Sequence, residues 1–146
     1  MEASSLTGQI LQRVWLYSSG PVHPAWQNDL TTPICSTEAI LELAGGSYVA
    51  VRPCEVQLPE ERYPALGIEL SSCSIDELKA IQADGIVIAA QPLPEADALL
   101  PHVISGIEES DPLGEGAVSQ YALQLGAQRL VLRHILPPIT LGITVE

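Results

Sequence analysis

Two arginines that follow apolar segments are the residues whose types and spacing best suit chemistry. Arg52 and Arg133 each end a segment that predicts a buried strand, and the chain has only six lysines and arginines. If the two strands are parallel neighbours, their carboxyl ends meet at one edge of the sheet, where α/β proteins bind ligands. The two guanidiniums could then clamp one carboxylate or phosphate. Gln91 ends a third such segment, and His134 could move protons near neutral pH.

These four residues define a hypothetical site for an anionic small molecule, but a structural role explains the arginines equally well. Each arginine could form a salt bridge with one of the 18 acidic residues at the rim of the sheet. No P-loop, zinc-protease motif or nucleophile elbow is present. Gly114-Glu115-Gly116 resembles the start of a dinucleotide loop but lacks the third glycine, so a loop and helix start is predicted there.

The residues that could ligate a metal are scattered along the chain. They are Cys35, Cys54, Cys73, His23, His102 and His134. No pair has the spacing of a zinc site, and three cysteines without a C-x-x-C motif predict reduced thiols in a cytoplasmic protein. The carboxylates between Glu108 and Glu115 do not match a calcium loop and predict a solvated acidic loop. The sequence therefore predicts no metal and no cofactor.

A proline-rich loop is the strongest candidate for an interaction segment. Residues 18–33 carry three prolines, which exclude a helix or a central strand. A loop of this length is often functional. His23 and Trp26 lie within it, and Trp26 could either anchor a partner or pack against the core.

The charge of the chain limits its partners. The formal net charge is −12, and the few basic residues form no stripe. Such a surface repels phosphate backbones and anionic membranes, and the apolar runs are too short to span a bilayer. The charge predicts no nucleic-acid binding and no membrane insertion. It favours a basic protein partner or, more simply, provides solubility.

The positions of glycine, proline and apolar residues predict the elements that would hold these side chains. Strands are predicted at 10–17, 47–52, 67–72, 86–90, 129–136 and 139–146. Helices are predicted from Ser36 to Ala44, from Ser74 onward, across 94–107 with a break at Pro101, and over Glu115–Leu125. The final strand alternates apolar and polar residues, which predicts a position near a sheet edge that is open to self-association.

A repeated order of elements suggests how they are arranged. Residues 35–72, 73–111 and 112–146 share helix, glycine turn, strand, a Leu-Pro pair and a further segment containing Gly-Ile. Together these patterns predict one α/β domain over residues 1–146. Its mixed, mostly parallel sheet would have about five strands with short flanking helices.

Two classes of function fit this fold. The first is a non-catalytic accessory or protein-interaction domain that acts through its acidic surface and the proline-rich loop. The second is a binding protein or enzyme for an anionic small molecule at Arg52, Gln91, Arg133 and His134. The sequence resembles no known family and names no substrate or partner.

Overall fold

The chain folds into antiparallel β-sheets, so the predicted α/β fold with a mostly parallel sheet is wrong. A computed structural model of the protein describes residues 1–18, 34–74, 81–83, 86–93, 96, 98–136 and 139–146. Within these ranges the elements are strands, apart from a short 3-10 turn at Ala3–Leu6. Every strand pairing that is described there is antiparallel.

The strands form two sheets, named A and B here. In chain order they are β1 (Ile10–Ser18), β2 (Ile34–Ser36), β3 (Ala39–Leu43), β4 (Ser47–Val56), β5 (Ala65–Cys73), β6 (Ile81–Ala83), β7 (Ile86–Pro92), β8 (His102–Val103), β9 (Gly106–Ser110), β10 (Gln120–Leu125), β11 (Gln128–Ile135) and β12 (Thr140–Val145). Sheet A has the order β5-β4-β3-β1-β7-β6, and β8 also pairs with β1. Sheet B has the order β2-β12-β11-β10-β9.

The two sheets pack face to face because alternate residues of their strands are apolar. Val49 and Val51 of β4 and Leu130 and Leu132 of β11 are all buried in one hydrophobic core, and β11 lies against β4. Successive side chains of a strand point to opposite faces, so the residues between them point outward. Burial of these aliphatic side chains stabilises the sandwich by about 25 cal/mol per Å² of apolar surface.

In the part of the chain that is described, two bends carry it from one sheet to the other. Between β2 and β3, the Ser36 hydroxyl donates to the carbonyl oxygen of Glu38 at 2.6 Å. Between β8 and β9, the amide of Ile104 donates to Gln9 beside sheet A, and the next amide, Ser105, donates to Gln124 in sheet B. These crossings connect the sheets at their margins, as in sandwiches whose strands change sheet.

The first predicted helix, Ser36 to Ala44, is wrong. Ala39–Leu43 is instead strand β3, paired with β1 on one side and β4 on the other. Gly45 and Gly46 end no helix: they have φ values of 93° and 86° and form the hairpin turn into β4. Ile40 is buried on the outward face of β3, so the strand is apolar on both faces and shows no alternation.

The predicted helix Glu115–Leu125 is also wrong. Its second half is strand β10, in which Tyr121, Leu123 and Leu125 face the core. The proposed helix-strand-strand repeat fails with these helices. Residues 75–80, where the helix from Ser74 would begin, lie outside the described residues. The segment 94–107 contains β8 and the first two residues of β9, and positions 94, 95 and 97 also lie outside the described residues.

Strands are present at all six places where they were predicted, although two details are wrong. Strand β4 continues through Pro53 to Val56. Position 53 lies beyond the last residue that pairs with β3, so no ladder bond needs its missing N–H. The final strand is not at an edge, because β12 lies between β11 and β2. The backbone groups of Leu141–Ile143 on that side are already paired with β2, so they are not available for the predicted self-association.

Strand β5 is the outermost strand of sheet A in the part of the chain that is described. It pairs with β4 through nine residues without a bulge. On its other side, the amide of Leu66 donates to Glu115 Oε1 and the amide of Ile68 donates to the carbonyl of Val118, both at 3.0 Å. Alternate residues of a strand point the same way, so the amides of Leu70 and Ser72 also point away from β4.

We expect hydrogen–deuterium exchange to divide β5 at Glu69. The amides of Leu66 and Ile68 should exchange slowly because each has a partner, whereas those of Leu70 and Ser72 should exchange at least tenfold faster. The ladder amides of Glu69 and Ser71 are the internal control. Equal protection of Leu70 and Ile68, measured by NMR on the dilute protein, would contradict the edge described here.

Candidate functional site

The two arginines of the predicted anion clamp lie on opposite sides of the sandwich. Arg52 is on the outward face of sheet A, one residue after the buried Val51. Arg133 is on the outward face of sheet B, between the buried Leu132 and His134. The structure therefore does not bring the two guanidiniums together.

Each arginine instead has its own surroundings. Arg52 forms a salt bridge with Glu38, and its Nη1 donates to Ser71 Oγ at 3.2 Å. Arg133 Nη2 is 4.0 Å from a carboxylate oxygen of Glu146, and its Nε is buried without a hydrogen-bond partner. The predicted salt bridge is therefore present at Arg52. The 4.0 Å distance between Arg133 and the Glu146 carboxylate is long for a salt bridge.

His134 has a structural role. The side chain is fully buried, with Nδ1 2.7 Å from the carbonyl oxygen of Gly67, and the amide of Ile139 donates to Nε2 at 2.8 Å. A carbonyl oxygen only accepts and an amide N–H only donates, so the neutral ring carries its proton on Nδ1. Both nitrogens are occupied by backbone groups of two different sheets, which leaves none for a ligand.

The other predicted site residues contribute little to a common site. Gln91 lies on β7, where its backbone pairs with Leu16, and its side chain is outside the described part. His23 and Trp26 also lie outside the described residues.

Among those that are described, no group of histidines, cysteines and carboxylates could hold a metal ion. No helix there is long and apolar enough to cross a membrane.

A shallow polar depression lies on the outward face of sheet A, away from the predicted site. It has a volume of about 210 Å³ and is lined by Gln12, Arg13, Glu42 and Pro101. The guanidinium of Arg13 stacks on the Trp15 ring at 5.3 Å. The depression contains none of the predicted ligand-binding residues and encloses no small molecule deeply enough to replace its water.

The acidic loop after β9 is organised by Asp111. Its carboxylate accepts the amides of Gly114 at 3.0 Å, Glu115 at 3.3 Å and Gly116 at 2.9 Å. The two glycines have φ values of 70° and 93°, a conformation that glycine adopts without strain. The Gly-Glu-Gly sequence therefore folds around a carboxylate of its own chain and caps no helix.

Hydrogen bonds and close packing connect three loops at one end of the sandwich. Glu115 accepts the amide of Leu66, which follows the β4–β5 loop (57–64). The β9–β10 loop (111–119) also packs against Leu58. A Cβ atom added at Gly116 would lie only 3.0 Å from Leu58 Cδ1. His134 connects Gly67 to the β11–β12 turn through Ile139. We call the described residues 57–64, 111–119, 136 and 139 the loop end.

The loop end exposes apolar side chains. Seven large hydrophobic residues are exposed among those described, and four of them are in these loops. They are Tyr63, Leu113, Leu136 and Ile139, of which Tyr63 is 72% and Leu136 68% exposed. Ile139 also has a φ of 64°, which is unusual for a β-branched residue. An apolar group at the tips of anchored loops is typical of a binding surface.

Acidic residues outnumber basic ones in two of these loops and in the strand residues beside them. The segments 55–69 and 109–119 contain one cation, Arg62, and seven acidic residues: Glu55, Glu60, Glu61, Glu69, Glu109, Asp111 and Glu115. Burial, with Glu69 nearby, raises the pKa of the Cys54 thiol. Burial and the Glu109 carboxylate likewise raise the pKa of Tyr121. The protonated thiol is a poor nucleophile at neutral pH.

We expect His134→Leu to destabilise the protein by about 1–3 kcal/mol, because the Ile139 amide loses its acceptor and the Gly67 carbonyl loses the imidazole donor. Urea unfolding measures this loss. The matched control is His102→Leu, a partly exposed histidine with one hydrogen bond to its neighbour Val103, and we expect it to cost less than about 1 kcal/mol. Equal losses in the two variants would contradict the structural role of His134.

We expect Asp111→Ala to destabilise the protein by about 1–3 kcal/mol, since three amides lose a charged acceptor. Glu61→Ala, which removes an exposed carboxylate from the neighbouring loop, should change the free energy of unfolding by less than about 0.5 kcal/mol. Amide NMR shifts for Asp111→Ala should be largest at Gly114 and Gly116. Unchanged shifts at these two glycines would show that the carboxylate does not organise the loop.

No geometric feature among the described residues assembles a catalytic group. Arg52 and Arg133 face apart, the His134 ring is fully used, and the Cys54 thiol stays protonated. The best-defined surface is the loop end, with apolar tips inside an acidic rim. Comparison of the chain with protein-family models, curated proteins and solved structures finds no match.

Proposed function

We propose that this protein is a non-catalytic protein-interaction domain and that the loop end binds its partner. One observation carries the proposal: most of the exposed large apolar side chains that are described lie on three loops that hydrogen bonds and packing fasten to one another. Scattered exposed hydrophobic residues are ordinary, whereas grouped ones mark binding sites.

The rigidity of the loop bases favours tight recognition. Asp111 and Glu115 hold the β9–β10 loop, and His134 holds the amide of Ile139, so the backbone at these described positions is fixed before a partner arrives. Binding then costs less conformational entropy. Tyr63 is the strongest candidate anchor because tyrosine offers a large contact area with few rotatable bonds.

The acidic rim indicates the chemistry of the partner. Four carboxylates (Glu60, Glu61, Asp111 and Glu115) against one arginine in the loops 57–64 and 111–119 favour a protein surface with an apolar centre and a rim of lysine and arginine. The free thiol of Cys54 supports the cytoplasmic location that we propose for this complex. This function keeps the acidic interaction surface predicted from the sequence and assigns it to the loop end in place of the proline-rich loop.

The test is to pan a random dodecapeptide phage library against the full chain and to measure the selected peptides by isothermal titration calorimetry. The peptides should combine lysine or arginine with aromatic or aliphatic residues. The variant Tyr63→Ser/Leu136→Ser/Ile139→Asn should weaken their binding by about tenfold or more, a loss of about 1.4 kcal/mol or more. Asparagine suits the positive φ at position 139.

The control is Ile10→Ser/Val103→Ser, which removes the exposed cross-strand pair of β1 and β8 and should leave the affinity within about twofold. Raising the salt concentration should weaken binding to the wild type because exposed charges are screened. Peptides that bind the loop-end variant as tightly as the wild type, or a library that yields no binder, would refute the proposal.

A further inference from the structure

The free half of β5 is an interaction surface distinct from the loop end. Its amino-terminal half is occupied on the outer side by Glu115 and by the carbonyl of Val118. In its other half, no described hydrogen bond engages the outward amides and carbonyls of Leu70 and Ser72. These four groups form a short row spaced as in a sheet ladder.

In the part of the chain that the structure describes, this half of the edge shows few of the devices that usually prevent pairing. Natural edge strands are guarded by proline, lysine, a bulge or a covering segment. The residues Glu69–Cys73 include no proline or lysine, and their register with β4 is continuous. Among the described residues, a covering segment lies only over the first half, where the β9–β10 loop contacts the strand.

We propose that the free half of β5 binds an extended basic segment of a partner protein as an added strand. Hydrogen-bond geometry requires an extended backbone, because only a strand offers donors and acceptors at the spacing of Leu70 and Ser72. The exposed Glu69 carboxylate, whose β4 neighbour Arg52 is engaged by Glu38 and Ser71, favours lysine or arginine at the cross-strand position of an added strand. A second copy is disfavoured because each chain has a net charge of −12.

The test uses a synthetic seven-residue peptide that is composed of threonine, valine and three lysines. It is compared with a copy that is N-methylated at alternate residues and a copy with glutamate in place of lysine. At saturation the first peptide should slow exchange of the Leu70 and Ser72 amides by about tenfold or more. The exchange of Leu66 and Ile68 should not change, and the methylated and acidic copies should give no protection.

Two variants of the chain sharpen the test. Ser72→Pro removes an outward N–H that the β4 ladder does not use, so it should weaken peptide binding by about tenfold or more with the fold retained. Glu69→Lys should reverse the preference from the lysine to the glutamate peptide. The matched control, Glu55→Lys, makes the same charge change opposite Leu66, outside the free half, and should retain the preference for lysine.

Several outcomes would overturn this proposal. Binding of the methylated peptide as tightly as its parent, or no protection of Leu70 and Ser72 at saturation, would exclude strand addition. A dimer in sedimentation that Ser72→Pro dissociates would assign the edge to a second copy. If Ser72→Pro does not fold, the methylated peptide and the Glu69→Lys variant still test whether the peptide binds as an added strand. The loop-end variant should bind the strand peptide normally, so the two proposals fail separately.

Discussion

A single buried imidazole joins strand β5 of sheet A to the β11–β12 turn of sheet B, across 67 positions of sequence. His134 donates to a carbonyl of β5 in sheet A and accepts the amide at the β11–β12 turn of sheet B. A buried polar group is costly unless both of its hydrogen-bonding atoms are satisfied. The side chain therefore fixes the distance between the sheets at this end and holds Ile139 in a conformation that β-branched residues avoid.

The loops at this end take their positions from that junction. The backbone amide of His134 donates to the carbonyl of Ser119, at the end of the loop that Asp111 organises. The same loop covers the first half of β5 through Glu115 and Val118. A packing requirement between the sheets thus determines which apolar side chains are presented to solvent and which part of the strand edge stays uncovered.

Strand geometry separates several of the residues that the sequence grouped into one functional site. Arg133 and His134 are neighbours in sequence, yet successive side chains of a strand face opposite sides, so one points outward and the other into the core. Arg52 and Arg133 follow similar apolar segments, but antiparallel strands in facing sheets place them on opposite surfaces. Asp111 was part of an acidic cluster, and nothing in its neighbours' types indicated that it accepts three amides of its own loop.

The sequence by itself determined the strands and the charge of this protein, while the tertiary structure decided the layers and the sites. Alternating or β-branched segments bounded by glycine and proline identified strands such as β1, β11 and β12, because those signals are local. Ala39–Leu43 and Gln120–Leu125 match helix and strand templates alike, and only pairing with neighbours on both sides made them strands. The loop end and the free half of β5 depend on contacts between residues about 50 or more positions apart, which no local pattern encodes.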